Sequence, residues 1–97
     1  MLINDKVFKA LADKNRRKII RLLKKSELNA GEIAQHFQIS KPSISEHLKI
    51  LRNAELIDSE RDGQYVRYFL NSTVLESVIS NLLDLLGKDE NQEDKDE

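Results

Sequence analysis

Ninety-seven residues suit one small domain with a limited core. The chain has no cysteine, which excludes disulfides, thiolate metal sites and a cysteine nucleophile. No apolar run approaches the roughly 18 residues that cross a membrane, and Met1–Lys6 lacks the basic-then-apolar layout of a signal peptide, so a cytoplasmic protein with no membrane insertion is expected. The formal charge of −1 conceals an asymmetry: residues 88–97 hold six acids against two lysines, which leaves +3 on residues 1–87. The expected organisation is therefore a mildly basic domain over 1–87 and an acidic, disordered tail over 88–97.

Val7, Phe8 and Leu11 recur at helical spacing over Asp5–Ala12. Asp13 is placed to cap a second helix, Lys14–Lys25, whose apolar members are Ile19, Ile20, Leu22 and Leu23. Its basic run, Lys14, Arg16, Arg17, Lys18, Arg21, Lys24 and Lys25, offers phosphate contacts or a solvated face, and Asp13 can pair with Arg16 or Arg17. Asn29 and Glu32 have the spacing of a capping box, which starts a third helix near Ala30 with Ile33, Ala34 and Phe37 inward.

Ser40 caps a fourth helix. Pro42 is tolerated in its first turn, where amides lack intrahelical partners, and Ile44, Leu48 and Leu51 form its core stripe. Leu56–Arg61 and Gln64–Leu70 read as strands around an Asp62-Gly63 turn. That loop places Arg61 opposite Gln64, Asp58 opposite Arg67 and Ile57 opposite Tyr68. Thr73 and Glu76 have the spacing of a second capping box, opening a last helix to about Leu86. The expected fold is mainly α with a small β-hairpin, a winged helix-turn-helix in the order α-α-α-α-β-β-α.

Helix, turn, helix and wing is an arrangement for placing one helix in the major groove of duplex DNA. With its apolar stripe buried, the fourth helix (residues 41–54) shows Lys41, Ser43, Ser45, Glu46 and Lys49. Lysine donates to guanine or phosphate, and serine both donates and accepts. Arg61 and Gln64 flank the wing turn, where a basic residue reaches phosphate or the minor groove, while Asp62 opposes phosphate. His36 and His47 do not match a zinc spacing, and His47 is expected to be partly packed, with a donor role to phosphate or base as the alternative. No catalytic layout, metal site or cofactor motif appears, so an enzyme is not expected.

Val7, Phe8 and Leu11, with Leu75, Val78, Ile79, Leu82 and Leu86, exceed the apolar surface one small core needs. A two-fold dimer would bury the surplus and set two recognition helices about one DNA turn apart. Two other readings stand beside a metal-independent dimeric repressor on a palindromic operator. One is a winged-helix module that binds protein and not DNA, motivated by Glu46, Asp62 and the acidic tail. The other, more remote, is a metal-responsive repressor using His and carboxylates.

Four stretches carry a family resemblance: Phe8-Lys9-Ala10-Leu11-Ala12-Asp13-Lys14-Asn15-Arg16-Arg17-Lys18-Ile19-Ile20, Glu32-Ile33-Ala34, Ser40-Lys41-Pro42-Ser43-Ile44-Ser45-Glu46-His47-Leu48-Lys49-Ile50-Leu51, and Gly63 with Tyr68 and Leu70. Together they resemble the ArsR/SmtB family of bacterial winged-helix repressors, over most of the chain up to about Leu86. The resemblance implies a homodimer built from first and last helices that represses by occupying a promoter. It puts base or backbone contacts on Lys41, Ser43, Ser45 and His47 and a wing contact near Arg61. The chain departs from the family pattern in lacking the cysteine metal motif and any histidine on the last helix. Glu46 stands where a basic or neutral residue is common, Gln64 where arginine is common, and Lys14 where proline is usual. Operator, regulated genes and any inducer or partner protein are not encoded in these motifs.

Overall fold

The computed structural model describes residues 5–87, so the acidic tail and the first four residues lie outside the described residues. The described elements are α1 (Asp5–Leu11), α2 (Lys14–Lys25), β1 (Leu28–Asn29), α3 (Ala30–Ala34), α4 (Lys41–Asn53), β2 (Ile57–Asp62), β3 (Tyr65–Leu70) and α5 (Ser72–Leu85).

Three helix starts follow from their caps. Asp13 accepts the amide protons of Asn15 at 2.7 Å and Arg16 at 3.1 Å, satisfying two of the unpaired donors of α2. Desolvation pushes the Asp13 carboxyl up, but the two amides, with His47 and Arg16 nearby, outweigh it and hold the group below its ordinary 3.8. Asn29 and Glu32 exchange reciprocal bonds of 2.8 and 2.9 Å, so the first expected capping box forms. Ser40 accepts the Ser43 amide at 3.2 Å and donates its hydroxyl to Ser43 Oγ at 3.0 Å, with Pro42 in the first turn of α4. The second expected capping box does not form. α5 starts two residues earlier, with Asn71 at the cap position and no side-chain cap, so Thr73 is already inside the first turn.

The core gathers one stripe from each element. Ile19, Ile33, Ile44, Leu51, Leu56 and Ile57 are fully buried, and Ile20, Leu23, Leu48, Val74 and Val78 complete the layer with Val7 and Ala10. Truncating a buried leucine such as Leu51 to alanine costs about 2–5 kcal/mol. α4 ends in a Schellman arrangement: the Leu56 amide donates to Leu51 O at 3.1 Å and the Glu55 amide to Arg52 O at 2.9 Å. Glu55 takes the left-handed conformation this requires, at φ 63°. The buried Leu51–Leu56 pair then aims the chain from α4 into β2.

The sheet differs from the expected hairpin in two ways. It has three antiparallel strands in the order β1-β3-β2, with Leu28 opposite Tyr68 and Asn29 opposite Arg67. Its hairpin closes over Gly63-Gln64 and not Asp62-Gly63, so Asp62 faces Tyr65, Arg61 faces Val66, Asp58 faces Phe69 and Ile57 faces Leu70. Gly63 has φ 64° while Gln64 does not have a positive φ, which is the pattern of a turn with glycine at its first central position. Pairing of β3 with β1 adds a long-range constraint invisible in a local window. The shift is two residues along β3, so every side chain keeps its face and the apolar side still meets the helices.

Candidate nucleic-acid interface

Burial of Ile44, Leu48 and Leu51 turns the opposite face of α4 outward, where Lys41, Ser45, Glu46, Lys49, Arg52 and Asn53 are all exposed. At 100° per residue, Glu46 stands nearly opposite the buried stripe and is the crest of the helix. Ser43 and His47 lie half-buried along one flank. The Ser43 hydroxyl already accepts from Ser40, so it retains one donor for an outside partner. His47 Nδ1 lies 3.2 Å from an Arg16 guanidinium nitrogen.

A cleft runs along each side of this helix. One, of about 300 Å³, is lined by Ser45, Lys49 and Arg52 with Tyr68 of β3. The other, of about 340 Å³, is lined by Lys6, Lys9 and Arg16 with Ile50 and Asn53. A helix seated in a major groove has a phosphate strand on either side, and both clefts present cations there.

At the wing, Arg61, Asp62 and Gln64 are exposed around the turn. Arg67 gathers three carboxylates: Asp62 at 2.6 Å, Glu60 at 3.5 Å and Glu27 at 2.8 Å. The Nε–H does not point along the line to Glu27, so that contact is ionic attraction without a good hydrogen bond. Asp58 lies 3.9 Å from Arg52 rather than beside Arg67. The tip therefore combines one outward cation, Arg61, with an acidic flank.

The basic run of α2 divides. Arg16 donates to Ala10 O at 2.7 Å and Lys9 O at 3.1 Å, and Arg17 donates to Leu11 O at 2.8 Å, so both close the C-terminal end of α1. Asp13 spends its hydrogen bonds on backbone amides, not on either arginine side chain. Lys18 donates to His36 O at 2.6 Å and stands 4.6 Å from the Phe37 ring, bracing the turn before α4. Lys14, Arg21, Lys24 and Lys25 remain exposed. Sequence reading names Arg16 only as one of the basic run or a partner of Asp13, and Arg67 only as a partner of Asp58, not as the organising residues they are. Their role depends on partners far along the chain, and a basic run hides which member turns inward.

Of the expected pairing residues, Val7 and Val78 lie in the chain's own core, 5% and 2% exposed, and are corrected to core positions. Leu11 and Leu75 are half-buried against that core. Phe8, Ile79, Leu82 and Leu86 are exposed, together with Leu83 and Leu85, and every residue from Ile79 to Gly87 is exposed.

Soft metals favour thiolate ligands, and the chain has no cysteine. Among the described residues no three His, Cys, Asp or Glu side chains converge on one point. The residues present do not fit a metal sensor site of that kind.

The family described as bacterial regulatory protein, arsR family, matches residues 13–59, from the cap of α2 into β2. The chain is 53% identical over 85 residues to the transcriptional repressor SdpR of Bacillus subtilis, covering 88% of this chain and 94% of that one. It is 40% identical over 76 residues to the arsenical resistance operon repressor of Staphylococcus aureus, covering 78% of this chain and 73% of that one. Among solved structures, an ArsR-like transcriptional regulator from Rhodococcus superposes with a TM-score of 0.81 at 26% identity, over 87% of this chain and 77% of the other. HlyU from Vibrio cholerae superposes at 0.68 with 32% identity, over 82% and 87%.

Proposed function

Since the chain belongs to the ArsR family of bacterial regulatory proteins, it is a DNA-binding transcription regulator and not an enzyme, and we propose that it is a metal-independent homodimeric repressor that occupies a palindromic operator. The observation that carries this reading is α4: a capped, proline-started helix whose apolar stripe is buried and whose polar face is outermost, with cationic clefts on both flanks. In this reading Lys41, Ser45, Glu46 and Lys49 meet base edges or phosphates, Ser43 and His47 line the near strand, and Arg61 and Gln64 of the wing reach the adjacent backbone. Residues 1–87 form the DNA-binding and dimerisation unit. Phe8, Ile79, Leu82 and Leu86 form the pairing face, and a two-fold axis through it presents two copies of α4 to the two half-sites. Repression is steric: the occupied promoter is closed to polymerase in the cytoplasm. Release follows from an unidentified inducer, a partner protein or dilution alone.

The test is fluorescence anisotropy of the full chain on DNA from upstream of its own gene and on random duplex, over a salt series. Preference for the upstream DNA by about a thousandfold or more supports the reading, because specific complexes exceed non-specific ones by that margin. Equal affinity for both at moderate salt overturns it. The double variant K41A/S45A should lose the preference while keeping its oligomeric state. Unchanged function in that variant would favour a protein-binding module, the reading to which the acidic wing lends itself.

A further inference from the structure

Arg16 is held at three points of its side chain and one of its backbone. Its amide donates to the Asp13 cap at 3.1 Å. Its Nε donates to Ala10 O at 2.7 Å and one terminal nitrogen to Lys9 O at 3.1 Å, both at the end of α1. The other terminal nitrogen lies 3.2 Å from Nδ1 of His47, 31 residues away on α4. A guanidinium has only donors, so His47 Nδ1 is the acceptor, and the neutral ring must carry its proton on Nε2.

We propose that Arg16 is a positioning residue that fixes the recognition helix to the end of α1 through His47 Nδ1. The inference rests on the reading of α4 as the recognition helix. The chemistry is specific to arginine: a planar fork satisfies three acceptors in one plane, which a lysine ammonium on a flexible stem does not. The two α1 carbonyls lie at the negative end of a helix, where a cation is favoured, and Lys9 O also accepts the Ala12 amide at 3.2 Å. α1 also carries Phe8 on the proposed pairing face. The inner nitrogen of His47 is committed within the protein, and only Nε2–H is left for an outside acceptor.

Side-chain shape supplies the test. Asparagine places an acceptor close to where imidazole Nδ1 stands, whereas glutamine reproduces the position of Nε2. The measurements are affinity for a duplex selected from random DNA by the unsubstituted protein, affinity for unselected duplex, and thermal melting. Arg16→Lys and His47→Ala should each lower affinity for the selected duplex about tenfold, the scale of one hydrogen bond to a charged group, with little change on unselected duplex. His47→Asn should recover most of the loss and His47→Gln should not. R16K/H47Q should be no weaker than either single variant, because both remove one interaction. Recovery by glutamine and not asparagine, or additive losses in the double variant, overturns the proposal.

A second measurement needs no variant to fold and no DNA. A long-range proton–nitrogen NMR spectrum of the unsubstituted protein should show His47 as the Nε2–H tautomer with an unprotonated, hydrogen-bonded Nδ1. A mixture of tautomers would overturn the tether directly. Should the protein show no preference for any duplex, the recognition-helix reading fails, and this spectrum still decides the tether on its own.

Discussion

Glu46 is exposed nearly opposite the buried stripe of α4, and it is an acid among lysines and serines. Near a phosphate it is repelled whatever the sequence, whereas opposite a cytosine amine it accepts a hydrogen bond. Exchanging the charge while keeping the shape separates these effects. Glu46→Gln should bind random duplex several-fold more tightly and discriminate less well at one base pair, a loss of about 1–3 kcal/mol of selectivity in a competition assay. Asp13 acts on stability instead. Asp13→Ala removes the acceptor of two amides and should lower unfolding free energy by about 1 kcal/mol in urea titrations. Because the folded carboxyl is held below 3.8, its contribution is fully present above that pH and is lost as the pH falls through the depressed folded value. The difference between D13A and the parent should therefore shrink progressively in melts taken at pH values further and further below 3.8, and a gap independent of pH there would exclude this cause.

Among the elements, the end of α4 is the least expected. Left-handed backbone at Glu55 costs a side-chain-bearing residue about 1–2 kcal/mol, partly offset in any glycine variant by the larger entropy of its unfolded chain. Glu55→Gly should thus stabilise by roughly 0.5–1 kcal/mol and raise the melting temperature by a few degrees, with DNA affinity unchanged. No glycine marks this stop; reading residues 41–54 as helix and Leu56 as the first strand residue places it to within a residue, but the left-handed conformation of Glu55 becomes legible only once Leu51 and Leu56 are seen to be buried together. The same contrast runs through the other elements. Caps at Asp13, Asn29 and Ser40 were legible because their partners lie within three residues. The Thr73 box had the right spacing, but Asn71 occupies the cap position. The hairpin was legible and its register was not, because Tyr68 is also paired with Leu28, forty positions earlier. The outward face of α4 could be read directly, since burying Ile44, Leu48 and Leu51 leaves only one side. The tether at Arg16 and the cluster at Arg67 join distant segments that no periodicity connects.

For the whole molecule, the exposed stretch from Ile79 to Gly87 is the outstanding feature. Ile79 is 52% exposed, Leu82 44% and Leu86 70%, an apolar row that a small soluble domain rarely leaves bare. Ile79→Asp with Leu82→Asp should convert the pairing species to a monomer in sedimentation, with helical circular dichroism retained because neither residue is in the core. Operator affinity should fall on the order of a hundredfold or more, since two linked reading heads gain from effective concentration and one does not. A double variant that sediments and binds as the parent does would place the pairing face elsewhere.

The cluster around Arg67 bears on how the protein finds its site. One guanidinium among Glu27, Glu60 and Asp62 leaves two negative charges unbalanced beside the wing. Most DNA binders linger on any duplex because every positive charge they carry is rewarded by displaced counterions. In the proposed complex the wing is part of the contact surface and its acids are penalised at each encounter, which would cut short visits to unrelated DNA and make travel along the chromosome a series of brief hops. Only where α4 finds matching base edges does the stay lengthen. Occupancy of the target is then governed by residence time at one sequence rather than by accumulation on DNA at large.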